Sequence, residues 1–289
     1  MFVKEKENNL KNYIEISTFI LFIFALLYSN NNDIFHIPQF IFIIISVILI
    51  GIIVVFIRKV SDEYTINYIK KTLKALLIFV FFCFSGLLEY IPVKLLNISY
   101  VDEYLRVILG CFSELIVLIV LFIIYRKELK KEFYIFKNKL DENLNTGLIY
   151  WLLGLAIMFI SNAIIIFVFK LGQANNQQAV NQFIKTAPIW MLIEAGVLAP
   201  IVEEIIFRKS IKDMTTNKKL FIFFSSLIFG LMHIIPSAKA LTDFLFLLPY
   251  GILGFSFAKM YSKTDTVFTS ISFHMIHNII LTLLSIAIL

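Results

Sequence analysis

Long apolar runs alternate with short charged stretches along the whole chain. Nine runs can be drawn, at 14–29, 38–57, 73–91, 105–125, 147–169, 189–207, 220–235, 241–260 and 266–288. Each is near the ~20 residues that a helix needs to cross the hydrocarbon core of a bilayer. Within the runs Ile, Leu and Phe follow one another without the period-two alternation of barrel strands. In lipid, backbone polar groups must be paired inside the segment, which leaves helices. The pattern therefore predicts an all-α, polytopic transmembrane helical bundle of eight to nine spans. Between the fourth and fifth runs, residues 126–140 mix charges with Leu, Phe, Tyr and Ile, the composition of a helix lying in the interface. The stretch "GQANNQQAVNQ" at 172–182 reads as a flexible external loop.

Composition and charge sharpen this picture. The 289 residues are 60% hydrophobic and only 16% charged, too apolar for a soluble domain of this size. Of the 26 Lys and Arg, 21 fall in the N-terminus or in, or at the run edges bordering, the connections after the second, fourth, sixth and eighth runs. The other five are Lys94, Arg106, Lys170, Lys185 and Lys239. By the positive-inside rule this split places the N-terminus in the cytoplasm, and with nine spans the C-terminus outside. The net charge of +6 thus expresses topology and contact with the bilayer, and does not argue for nucleic acid. No small-x-small cleavage site follows "LFIFALLYSNNND", so the first run is expected to be a retained span. Cys83 and Cys111 both fall inside runs and are expected to be packing residues rather than a disulfide or metal pair.

Near residue 188 the character of the runs changes. The earlier ones are almost pure Ile, Leu and Phe; the later ones carry polar and ionisable groups. Two parts are expected: 1–186, membrane helices of no assigned role, and 187–289, a functional helical core. An ionisable group inside a span is costly and therefore a functional candidate by default. Glu15 and Glu89 sit at run ends, where a side chain can snorkel. Glu114 and Glu194 lie deeper and are expected to make interhelical hydrogen bonds. Asp243 stands near a run start, where it can cap a helix.

Three motifs remain. In "VEEIIFR", Glu204 and Arg208 are four apart and can pair on one helix face. Glu203 then projects about 100° away and is left free for chemistry. In "FGLMH", Phe229 and His233 share a face, as do His274 and Asn278 in "HMIHN", with His277 off to the side. Three helices thus each aim polar groups into one interior.

"EEIIFR" is E-E-x-x-x-R, "FGLMH" is F-x-x-x-H, and "HMIHN" contains H-x-x-x-N. In that order and in a multi-span chain they resemble the CPBP family of intramembrane proteases, which includes the CAAX prenyl endopeptidases and bacterial Abi-type members. The match covers roughly 187–285, and no motif residue departs from the pattern. The resemblance implies an endopeptidase of a bacterial cell membrane acting on a membrane-associated peptide or protein. Glu203 and His233 would activate a water, His274 and Asn278 would bind the oxyanion, and Glu204 with Arg208 would brace the first helix. Zinc on Glu203, His233 and His274 is the other way to activate the water, since two histidines and a glutamate are also a zinc set. A different function class stays open: a non-catalytic membrane regulator or bacteriocin self-immunity protein that keeps the fold. A transporter is disfavoured by the lack of internal repeats. One tension remains. The run boundaries put Glu203 near the cytoplasmic end of its span and His233 nearer the outer end of its own, too far apart to share a water.

Overall fold

The structure is a computed structural model that describes residues 2–29 and 38–289. Among these residues there are helices and no strands. The connection at 30–37, which holds most of the polar stretch after the first run, lies outside the described residues. The helices are α1 (Phe2–Ser29), α2 (Gln39–Ile57), α3 (Asp62–Cys83), α4 (Tyr90–Leu95), α5 (Glu103–Ile124), α6 (Arg126–Asn138) and α7 (Leu140–Phe167). They continue with α8 (Asn175–Thr186), α9 (Pro188–Ile193), α10 (Ala199–Glu204), α11 (Ile211–Asp213), α12 (Lys218–Ile234), α13 (Leu247–Thr264) and α14 (Val267–Ile288).

Among the described residues seven helices are long and apolar enough to cross a membrane, or eight if a bent pair counts as one span. The chain is thus a multi-pass helical bundle, in which two of the nine apolar runs are not single regular helices. The run at 73–91 breaks after Cys83 into a 3₁₀ turn (Ser85–Glu89) and α4, which turn away from α3 by 50°. The run at 189–207 forms a helix that reaches Asp213, but π-helical segments at Glu194–Leu198 and Ile205–Ser210 interrupt it. This interrupted helix sits at the centre of the bundle. Val202, Ile205, Ile206 and Phe207 are all but fully buried among Phe19 of α1, Phe79 of α3, Leu121 of α5, Phe224 and Ile228 of α12, and Ile271 of α14. At the other extreme α2 exposes Phe40, Ile43, Val47 and Val55, as a helix does whose outer face meets lipid.

Helix contacts are close where side chains are small. A Cβ on Gly254 of α13 would lie 3.1 Å from the Cα of Ser226 on α12, so these two backbones nearly touch. On α7, Gly147 and Gly154 make room for Phe273 of α14 and Ser256 of α13. The turns are set by caps. Asn217 Oδ1 accepts from the Lys219 and Leu220 amides at the start of α12, and Thr266 Oγ1 accepts from the Phe268 amide at the start of α14.

Several expectations are corrected by the packing. The stretch at 172–182 is not a loop: most of it lies in α8, whose Ile184 is buried and whose Val180 and Phe183 pack beside Val107 and Met191. Its polar face is tied down too, since Gln182 Nε2 donates to Glu103 Oε1 at 2.7 Å and Asn175 Nδ2 to Asp243 Oδ2 at 3.0 Å. Glu15 does not snorkel. It is fully buried and accepts from the Thr216 amide (2.9 Å), the Thr215 and Thr216 hydroxyls and Tyr64 OH, so it pins α1 to the turn before α12. Glu114 has a buried Oε2 with no hydrogen-bond partner, and the Glu194 carboxylate rests where Gly110 of α5 leaves space. Among the described residues neither makes the expected interhelical hydrogen bond. Both cysteines are free thiols, Cys111 buried and Cys83 exposed. Asp243 does cap: its carboxylate accepts from the Lys239 and Ala240 amides at a 3₁₀ turn (Leu241–Phe246) leading into α13.

Helix α6 exists over 126–138 and packs against the core through Glu132. That carboxylate accepts from the Val267 amide (2.9 Å) and Tyr261 OH (2.8 Å), and it meets Lys209 Nζ at 3.3 Å. It thus joins the start of α14 to the end of the interrupted helix.

Candidate active site

Pro200 shapes the first motif before any catalytic residue is placed. Proline has no amide proton, so the Gly196 carbonyl four residues earlier loses its normal helical partner. The π segment Glu194–Leu198 lies directly before α10, and π bulges of this kind recur at functional sites. Gly196 lets α14 press in, since a Cβ there would lie 3.1 Å from Ile279. The neighbouring Ala195 carbonyl accepts from Asn278 Nδ2 at 2.8 Å. The second π segment has its carbonyls served by hydroxyls: Ser225 Oγ donates to Phe207 O and Ser210 Oγ to Ile205 O. Between the two segments, α10 ends on Glu203 and Glu204.

The two glutamates have different surroundings. Glu204 and Arg208 are both fully buried, with Arg208 Nη2 3.1 Å from Glu204 Oε1. This is an ion pair at close range without hydrogen-bond alignment, because no guanidinium nitrogen has a hydrogen-bond acceptor. Aromatic faces take the place of water around the cation: the Arg208 Cζ stands 4.5 Å from the Phe229 ring centre and 5.7 Å from that of Phe257. His274 Nδ1 meets the same Glu204 oxygen at 3.0 Å. Glu203 retains some exposure. Its Oε2 is buried, has no hydrogen-bond partner, and lies 3.7 Å from His274 Nε2, beyond direct hydrogen-bond range. His274 therefore stands between the two acids, its ring stacked on Phe257 at 4.5 Å.

His233 reaches the group through rings. Its Nδ1 lies 2.9 Å from the Phe229 carbonyl. A carbonyl can only accept, so Nδ1 carries the proton and Nε2 keeps a lone pair in the neutral ring. The imidazole is held between Phe229 (4.4 Å) and Tyr250 (4.8 Å), and the Phe229 ring in turn meets His274 at 5.8 Å. The tension over depth has a physical resolution. The interrupted helix runs to Asp213, six residues past the expected end at 207, so Glu203 sits about 15 Å above its end. His233 lies about 22 Å along α12. The offset falls to about 7 Å, the scale of side chains.

Glu204 thus touches both Arg208 and His274, and His274 in turn faces Glu203 at 3.7 Å. His233 is linked to them by Phe229. Asn278, one turn beyond His274, spends one amide hydrogen on the first π segment. His277 is buried beside them. Among the described residues no three His, Cys, Asp or Glu side chains are arranged to hold a metal ion, and His274 has a carboxylate on both ring nitrogens. Glu203, His233 and His274 as placed do not form a three-ligand zinc set. Sequence reasoning missed Phe257, Tyr250 and the π segments; of these only Pro200 left a readable signal.

Comparison with known proteins meets this geometry. YdiL of Bacillus subtilis (strain 168), which bears the name "Putative membrane peptidase", is 31% identical over 150 residues, covering 49% of this chain and 58% of YdiL. YxdF of Lactococcus lactis subsp. lactis (strain IL1403), a UPF0177 protein, is 29% identical over 145 residues, covering 48% of this chain and 77% of YxdF. The chain thus spans less than two thirds of the length of YdiL. No solved structure matches significantly. The resemblance carried by the three motifs is found independently at the level of the family: residues 185–280, which hold every motif residue, match the type II CAAX prenyl endopeptidase Rce1-like family.

Proposed function

We propose that the chain is an intramembrane endopeptidase that hydrolyses a peptide bond in a membrane-associated peptide or protein, with residues 187–289 as the catalytic core. The observation that carries this reading is the division between the tandem acids. Glu204 is occupied by Arg208 and His274, while Glu203 offers a buried oxygen that no protein group uses. A water held there would be a nucleophile, with Glu203 and the free Nε2 of His233 as the bases that take its proton. His274 and Asn278 would stabilise the oxyanion. For that role His274 must donate from Nε2 while Nδ1 donates to Glu204, which is the imidazolium form. In that form Glu203, Glu204, Arg208 and His274 sum to zero charge, the state that a poorly solvated interior tolerates best. With His274 and Glu203 3.7 Å apart, one oxygen seated beside the line between them would reach both groups.

The test compares membrane-associated peptides from cells carrying the parent chain and cells carrying the Glu203→Gln chain. Cleavage products confined to the parent support the reading, and identical peptide sets remove it. Asn278→Ala is expected to lower kcat by about 10²–10³, with a smaller change in KM, because an oxyanion donor acts in the transition state. Single-turnover kinetics on the purified variant check this. A chelator is expected to leave purified enzyme active, since the residues do not form a three-ligand group. Reversible inhibition relieved by zinc would instead establish the metal route.

We infer from the 21-to-5 split of Lys and Arg that the N-terminus and the segments at 58–72, 126–146 and 208–219 face the cytoplasm. Single cysteines placed in these segments, with Cys83 and Cys111 replaced, should stay unlabelled by an impermeant thiol reagent in intact cells. Labelling of the 126–146 segment from outside would reverse the assignment.

A further inference from the structure

Against α7, α12 and α13 lies an apolar groove of about 690 Å³. Ile164 and Ile165 of α7, Ile222 and Leu227 of α12, and Leu248 and Ile252 of α13 line it. Two lysines also line it: Lys219, in the first turn of α12, and Lys259, in the last turns of α13. The two helices run antiparallel, so both cations stand at the same end. Among the described residues neither is paired with a carboxylate, and Lys259 Nζ lies 5.8 Å from the centre of the Phe255 ring. We propose that this groove binds one anionic phospholipid, with an acyl chain lying along α7, α12 and α13 and the phosphate held between Lys219 and Lys259.

Length and charge both select this occupant. From Lys259 to Leu247 the groove follows α13 for about 18 Å. That is close to half of the ~30 Å hydrocarbon core, the depth of one leaflet's chain. A detached apolar peptide would leave two like charges side by side without a counter-ion, whereas a phosphate between them is a charge match. The lysine end belongs to the basic segment 208–219, which the charge split places at the cytoplasmic leaflet, where anionic lipids gather against polybasic segments. Occupancy matters to the site as well. The groove is lined by Ser226 and Gly251, at the crossing of α12 and α13, while Phe229, His233 and Tyr250 on the same two helices form the ring stack beside His274. A bound chain would brace that crossing from outside.

Gly251 supplies a clean probe of the acyl position. It lines the groove, and a Cβ added there meets no atom within 4 Å. Gly251→Trp would fill the groove without a clash at the backbone. The experiment is native mass spectrometry of the purified full chain, titrated in micelles with phosphatidylglycerol, phosphatidylcholine or inorganic phosphate. The parent chain should retain one phosphatidylglycerol and not retain phosphatidylcholine. Lys219→Gln with Lys259→Gln should weaken phosphatidylglycerol retention by about tenfold or more. Gly251→Trp should abolish retention while the protein elutes as the folded species. Equal retention of both lipids, or no change in the lysine double variant, would overturn recognition of the headgroup. Undiminished lipid on Gly251→Trp protein would overturn the groove as the acyl site. Displacement of the lipid by inorganic phosphate at the same concentration would mean a phosphate site and no lipid site.

Discussion

Glu203→Gln protein is expected to insert, fold and purify like the parent and to lose about 10²–10⁴ of its peptidase rate. Preservation of the fold follows from the contacts. Gln is nearly isosteric with Glu, and the Glu203 oxygen it replaces has no hydrogen-bond partner to lose. The near neighbour, His274 Nε2 at 3.7 Å, is held from its other side by Glu204 and by stacking on Phe257. Loss of rate follows from chemistry, because an amide cannot take a proton from water near neutral pH. Raising substrate should not restore turnover, since the missing interaction is made in the transition state. The measurement is cleavage of a reconstituted substrate by purified protein, with thermal unfolding of the same sample as the control for fold. Parent-like cleavage by Glu203→Gln protein would remove Glu203 from the mechanism. A cellular immunity or regulatory phenotype that survives in this variant would favour the non-catalytic reading.

What the sequence displays and what it hides divide along one physical line. Spacing within a helix is legible. The four-residue separation of Glu204 and Arg208 foretells a pair that the fold contains at 3.1 Å, and that of Phe229 and His233 a ring contact at 4.4 Å. Apolar runs foretell spans, because bilayer thickness sets their length. Contacts between helices are not written in either signal. Nothing local tells that His274 will lie against Glu204, seventy residues earlier, or that Glu15 will be buried against Thr215 and Thr216. Those contacts depend on which helices become neighbours.

The misread elements have causes of the same kind. The stretch at 172–182 is rich in Asn and Gln and looks like a loop by composition. Val180 within it, and Phe183 and Ile184 just after it, nevertheless recur at helical spacing and find a pocket beside α5 and α9. The run at 73–91 is apolar but for Lys74, Ser85 and Glu89 and conceals a 50° bend, because hydropathy records solvent and not direction. Pro200 is the exception that could have been read, since a proline inside a helix must free a carbonyl, and here the adjoining π segment turns Ala195 O towards Asn278.

Arg208→Ala is expected to cost about 3–5 kcal/mol of stability, enough to empty the membrane of folded protein. Glu204 would then be a fully buried carboxylate without its cation, left with the neighbouring His274 as an ionisable partner. The cavity is real as well, since Arg208 is among the largest fully buried side chains and packs on Phe229 and Phe257. Arg208→Lys should recover little, because an ammonium lacks the flat face that lies against those rings. Removing both charges separates the two contributions. Glu204→Gln combined with Arg208→Met leaves no unpaired charge and refills part of the volume, so folded yield should rise well above that of Arg208→Ala alone. Activity should stay low in the double variant, since His274 Nδ1 loses the carboxylate that orients its ring towards Glu203. Folded yield is read by size-exclusion profile and thermal unfolding in detergent, and activity by cleavage with the same preparation. Parent-like stability of Arg208→Ala would show that water reaches Glu204, and the dry ion pair at the heart of this site would have to be abandoned.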